Sequence, residues 1–293
     1  MDAVLWSGAL ALLIVLPFWL PRWRLNRVLA QPMPAAQLDL LARNLPVYAR
    51  MAPALQQQLQ RLVQQFLHQK KFVGCDDLEI TDEIRISIAA QACLLLLNRT
   101  TRVYPQLRLI LVYPSAFFAR RQQVDGAGVV TETRQDMLGE SWSDGRVVLS
   151  WDHVQHGASD FTDGQNVVLH EFAHQLDSES GSNNGAPYLG SSENYRSWSA
   201  VLSRDFANLR VDAMYRQQSV IDHYGATSPA EFFAVATETF FEKPYQMAEV
   251  HAALFAELMK YYRVDPRDWC DAPPPVFGDH VGNTQGFAYG QWQ

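Results

Sequence analysis

Three cysteines in 293 residues, Cys75, Cys93 and Cys270, are too few, too far apart and odd in number to build a disulfide framework. No two of them have the spacing of a zinc-binding cysteine pair, so they read as reduced, mostly buried thiols. Basic charge is also short. Lys and Arg number 24 against 31 Asp and Glu, a formal net charge of −7 with a pI near 5.6. A direct nucleic-acid binder would carry a basic face, so that class is excluded. No internal repeat is present, which removes solenoids and propellers. What remains, 48% hydrophobic residues over this length, can fill one large core or two modest ones.

Charge is missing altogether from residues 3–20, Ala-Val-Leu-Trp-Ser-Gly-Ala-Leu-Ala-Leu-Leu-Ile-Val-Leu-Pro-Phe-Trp-Leu. As a helix this run would be roughly 27 Å long, close to the thickness of a bilayer core. Asp2 precedes it and Arg22, Arg24 and Arg27 follow, whereas a cleavable signal peptide starts basic and has a shorter apolar stretch. The positive-inside rule then places everything after Arg22 in the cytoplasm. The expectation is a single-pass anchor in the inner (cytoplasmic) membrane with the remaining chain on the cytoplasmic side. A buried or interfacial helix on a soluble cytoplasmic protein is the alternative.

The chain divides accordingly into residues 1–27 as transmembrane anchor and basic flank, 28–36 as a Pro-containing linker, 37–272 as the folded domain and 273–293 as a flexible tail. Within the domain, 37–68 reads as two helices broken near Pro46 or Pro53, Leu78–Thr81 as a short strand, and 82–97 as a helix apolar enough to be central. Leu107–Tyr113, Val129–Glu132 and Val147–Trp151 read as strands, with Ser143-Asp144-Gly145 as a turn and Asp152–Gly164 as a loop. Helices are expected at Glu193–Leu209, Pro229–Phe241 and Tyr245–Tyr262. The fold class is α+β, mainly helical with a small mixed sheet, preceded by the transmembrane helix.

The chemistry lies in His170-Glu171-Phe172-Ala173-His174. On a helix, positions i and i+4 share a face, so both imidazoles can present a nitrogen to one ion. Glu171 projects at a different angle, where it can reach a water on that ion without being a ligand. Leu169, Phe172, Ala173 and Leu176 form a separate apolar stripe that points to the core. Two histidines leave a catalytic zinc ion one protein ligand short of its usual three. Asp177 lies on the histidine face but about 10 Å along the axis from His170, which suits it better to support a ligating imidazole. Glu231 and Glu238 are the other candidates, the only acids in the body of an apolar helix. Seven residues apart, they project the same way, so at most one binds the ion. Glu231 has a second reading, as the far end of a Ser228-x-x-Glu231 capping box with Pro229 at the first helical position. His153, His156 and His223 read as surface or supporting residues rather than ligands.

The stretches 166–177 (Asn-Val-Val-Leu-His-Glu-Phe-Ala-His-Gln-Leu-Asp) and 222–235 (Asp-His-Tyr-Gly-Ala-Thr-Ser-Pro-Ala-Glu-Phe-Phe-Ala-Val) resemble the Mlc titration factor A family of zinc metallopeptidases. The second also resembles the active-site segment of the anthrax lethal factor protease. The likeness spans roughly residues 40–270, and the membrane-like N-terminus is a departure from it. The resemblance implies a zincin-like, gluzincin arrangement with Zn2+ held by His170, His174 and Glu231, and with Tyr224 near the ion, where a phenol could donate to an oxyanion. It implies hydrolysis of a peptide or protein substrate through a metal-bound water with Glu171 as general base, leaning toward short peptides and aminopeptidase action. The strand at Val147–Trp151 would offer an edge for an extended substrate. It further implies a transcriptional repressor as partner, so a zinc-containing regulatory protein that sequesters a regulator with little or no catalysis is the alternative. A membrane-tethered adaptor is a third reading.

Overall fold

A computed structural model describes residues 19–99, 102–115, 117–124, 130–137, 139–142 and 145–273. Helices dominate. Residues 19–29 are helical (α1), followed by α2 (Ala35–Asn44), a 3-10 turn at Tyr48–Arg50, α3 (Pro53–Gln69) and α4 (Asp82–Leu94). The strands are β1 (Lys71–Gly74), β2 (Leu109–Tyr113), β3 (Phe117–Val124), β4 (Val130–Met137), β5 (Gly139–Trp142) and β6 (Arg146–Ser150). Then come α5 (Trp151–Ser159), α6 (Val167–Asp177), α7 (Ser192–Tyr215), α8 (Pro229–Glu242), α9 (Pro244–Val250) and α10 (Ala252–Tyr262).

One sheet has the order β1-β2-β6-β5, with β1, β2 and β6 parallel and β5 antiparallel to β6; β3 and β4 pair separately as an antiparallel ribbon. Helix α4 is the core element. Its residues from Ile86 to Leu94 are all buried, and it packs against α2, α3, α5 and α6. Thr81 caps it by accepting from the Ile84 N–H.

The membrane-helix expectation is corrected. Among the described residues no helix is long and apolar enough to cross a membrane. The part of the 3–20 run that is described, residues 19–20, belongs to α1, whose described residues carry Arg22, Arg24 and Arg27. Residues 1–18 lie outside the described residues, as do 274–293, where the tail was expected. The single-pass inner-membrane location falls with the helix.

Several elements differ from expectation for local reasons. The strand is Lys71–Gly74 and not Leu78–Thr81, because Asp76 and Asp77 both take positive φ and turn the chain before it reaches Leu78. The expected loop after β6 begins as α5. Its buried side consists of Val154, Gly157 and Ala158, too small an apolar stripe to stand out among polar neighbours. Helix α7 runs to Tyr215, where Arg216 ends it in a left-handed conformation. The expected 245–262 helix is two, broken at His251, whose Nδ1 lies 2.9 Å from the buried Asp205 Oδ1. The three cysteines are free thiols.

Candidate metal centre

Helix α6 is fixed by its apolar stripe. Leu169, Phe172, Ala173 and Leu176 are fully buried, and the Phe172 ring packs 4.7 Å from Tyr104 and 5.6 Å from Phe66. Burying one such ring contributes about 2–3 kcal/mol. With that face committed to the core, His170 and His174 are turned toward α8, their ring centroids 4.9 Å apart.

Glu231 meets them there. Its Oε2 lies 3.0 Å from His170 Nε2 and 3.4 Å from His174 Nε2. Three atoms bound tetrahedrally at about 2.0–2.2 Å from one ion would stand roughly 3.3 Å from each other. Among the described residues these three form the group of His, Cys, Asp and Glu that could hold a metal, with ligand atoms all within 4.8 Å. Ser228 does cap α8 by accepting from the Glu231 N–H at 3.2 Å, but the Glu231 carboxylate turns to the histidines rather than closing the capping box.

Glu238 takes a different place from the one weighed for it as a ligand. Its Oε1 lies 2.8 Å from His170 Nδ1, on the far side of the ring from Glu231. Its Oε2 accepts from the Asn166 N–H at 2.5 Å. Asn166 is a hub that the motif reading missed. Its Oδ1 caps α6 by accepting from Val168 and Leu169, and its Nδ2 donates to Glu242 Oε1 at 3.0 Å. Glu242 Oε2 in turn accepts from the Gly164 N–H. An Asn directly before an apolar-periodic run is the sequence signal of such a cap.

The electrostatics follow from this packing. Burial alone would lower the His170 pKa, but hydrogen bonds to Glu231 and Glu238 and the charges of Glu238 and Glu171 carry it well above its ordinary value. Burial pushes Glu231 up, and the two histidines more than reverse this, leaving its carboxyl far below the usual range. For Glu238 burial wins and its pKa is raised; Glu242 is raised well above normal by burial too. Both nitrogens of His170 thus face carboxylate oxygens, a place that calls for a shared proton or a cation. Glu171, buried at 5% exposure, adds a third carboxylate around two imidazoles. A divalent cation fits that donor set in type, spacing and charge.

Tyr224 sits in a 3-10 turn (His223–Ala226) capped by Asp222, its ring centroid 5.9 Å from that of His170. Asp177 does not reach the cluster as a ligand. It is fully buried and its Oδ2 accepts from the Gly185 N–H at 2.6 Å. His153 is engaged with Ser150 and Asp152, and His156 with Asp163. The strand expected to offer a substrate edge, β6, lies inside the sheet between β2 and β5; β5 is the terminal strand and packs against α6.

A sequence profile of the family described as Glucose-regulated metallo-peptidase M90 matches residues 20–263. The chain is 41% identical over 260 residues to an uncharacterized protein, slr2042, of Synechocystis, covering 88% of this chain and 94% of that one. It is 33% identical over 228 residues to a Mlc titration factor A of Klebsiella pneumoniae, covering 77% and 85%. A Mlc titration factor A of Yersinia pestis is 30% identical over 273 residues, covering 88% and 96%.

Proposed function

The chain belongs to the Glucose-regulated metallo-peptidase M90 family, and we propose that it hydrolyses peptide bonds at the His170–His174–Glu231 cluster with zinc as its ion. The observation that carries this reading is the approach of both imidazole Nε2 atoms to one Glu231 oxygen, beside a buried Glu171 that is spared from the ligand set. A purely structural site has no use for such a carboxylate.

When bound, the ion supplies Lewis acidity that activates water and polarises the scissile carbonyl. The side chains do the rest. Glu238 holds the proton of His170 on Nδ1 and so leaves Nε2 free to ligate. Glu171 takes a proton from the attacking water and returns it to the leaving amine. Tyr224, beside His170, donates its phenol proton toward the developing oxyanion. An extended substrate would pair with β5, the terminal strand next to α6.

A second reading rests on the relatives named for titrating Mlc: the chain binds a transcriptional regulator through a protein contact. One experiment separates the two. Peptide-library cleavage is measured with and without chelator for the wild type, Glu171→Gln and Tyr224→Phe. Catalysis predicts chelator-sensitive cleavage that falls by about 10²–10⁴-fold in Glu171→Gln with zinc retained. Tyr224→Phe should lose about 10²-fold or more. No cleavage by the zinc-loaded wild type would leave the regulatory contact as the function.

A further inference from the structure

Helices α6 and α8 are joined at both ends. At the N-terminus of α6 the join is the Asn166–Glu238 contact already described. At its C-terminus the join is the backbone of a single residue, Gly185. The Gly185 N–H donates to Asp177 Oδ2 at 2.6 Å, and its carbonyl accepts from Trp198 Nε1 at 2.8 Å. Its φ is +78°, and a Cβ built there would lie 2.3 Å from the carbonyl oxygen of Pro229. Pro229 is the first residue of α8, two before Glu231.

We propose that Asp177 and Gly185 are positioning residues, and that the Gly185 backbone is the spacer that sets how closely the first turn of α8, and with it Glu231, approaches the two histidines. The proposal rests on Glu231 being the third ligand. The physical reason is contact on all sides. Asp177 is fully buried at the last turn of the histidine helix, three residues beyond His174. Its carboxyl is pushed up by burial and drawn back by the backbone N–H groups of Gly185, Ala186 and Asn184 and by the charge of His174. Trp198 is also buried, and its ring packs 5.7 Å from Phe233, two residues beyond Glu231 on α8. Gly185 therefore lies between the end of one ligand helix and the start of the other, with no room for a side chain. Only a glycine combines this φ with this approach. A methyl group there must move either the loop or the first turn of α8. Since backbone meets backbone, no flexible side-chain end can absorb the shift.

The test is zinc affinity, measured by chelator competition on the full chain, with thermal melts of the stripped protein alongside. Gly185→Ala, Asp177→Ala and Trp198→Phe should each weaken zinc binding by about ten-fold or more, the scale of a misplaced supporting group. Asp177→Asn keeps an oxygen that can accept from Gly185 and should recover most of the loss, although it removes the charge beside His174. Leu59→Ala, a core deletion in α3, should lower the melting temperature while leaving zinc affinity within about two-fold. Should Gly185→Ala fail to fold, Trp198→Phe carries the comparison. Wild-type affinity in Gly185→Ala and Trp198→Phe, beside weakened binding in Glu231→Ala, would overturn the spacer alone. An Asp177→Asn no better than Asp177→Ala would overturn the acceptor role. Wild-type affinity in Glu231→Ala would remove the ligand reading and the spacer with it.

Discussion

The Nδ1 of His170 and the Oε1 of Glu238 lie 2.8 Å apart across a part-buried contact between two helices, 68 residues apart in the chain. In the neutral ring that hydrogen bond places the proton on Nδ1 and leaves Nε2 to face Glu231. Glu238 is itself held by the Asn166 N–H, so the ring's orientation traces back to the residue that begins the helix.

Glu238→Gln tests this orientation directly. Glu238 accepts from two N–H groups, one on each oxygen. A glutamine offers one acceptor and one donor, so one of those bonds becomes a donor–donor clash. Zinc affinity should fall by about 10–100-fold, read by chelator competition. The melting temperature of the stripped protein should change far less than in a core deletion. Unchanged affinity would mean that the His170 ring needs no such partner.

Asn166→Ala removes the α6 cap and the Glu242 partner together. The lost cap costs about 1 kcal/mol and the buried Glu242 Oε1 left without its donor about 1–3 more. Denaturant unfolding should show a loss of roughly 2–4 kcal/mol. A loss under about 0.5 kcal/mol, the level of an ordinary surface change, would contradict the hub.

The pH dependence has a definite sign. A histidine whose folded pKa is raised contributes stability that is fully present below its unfolded value, 6.5, and lost as pH climbs toward the folded one. In chelator-stripped protein the melting temperature should fall as pH rises from about 6.5 toward 8. Lys70, pushed down to about 8 by burial, adds stability with rising pH only above that window. Zinc binding displaces the proton and so strengthens with pH. The gap between loaded and stripped melting temperatures should widen across the same range in calorimetry. A gap that narrows would contradict a cation standing where the shared proton does.

Much of the site was legible in the chain. The i, i+4 histidines, the separate stripe of Leu169, Phe172, Ala173 and Leu176, and the placing of Glu231 in a helix too apolar to hide a charge all follow from helix geometry. Glu238 shows where that geometry stops. Seven residues from Glu231 it projects the same way, and only the packing of α8 along α6 determines that it meets Nδ1 rather than Nε2. Helix α5 was hidden because its buried side is Val154, Gly157 and Ala158, and Gly157 is there for a close approach to Asn166 and not for a turn. The N-terminal run misled for another reason. Hydropathy alone cannot distinguish a spanning helix from any other apolar segment, and among the described residues no helix is long and apolar enough to cross a membrane. Strand β6 is not an edge because the Glu140–Trp142 stretch, short and partly polar in sequence, adds one more strand beyond it.

The central claim is that three side chains from two helices converge on one ion, and anomalous diffraction at the zinc edge from crystals of the zinc-loaded chain tests it most directly. The account predicts one strong peak at about 2.0–2.2 Å from His170 Nε2, His174 Nε2 and a Glu231 carboxylate oxygen. No peak between those atoms, or a peak that leaves Glu231 out of the coordination sphere, would contradict it.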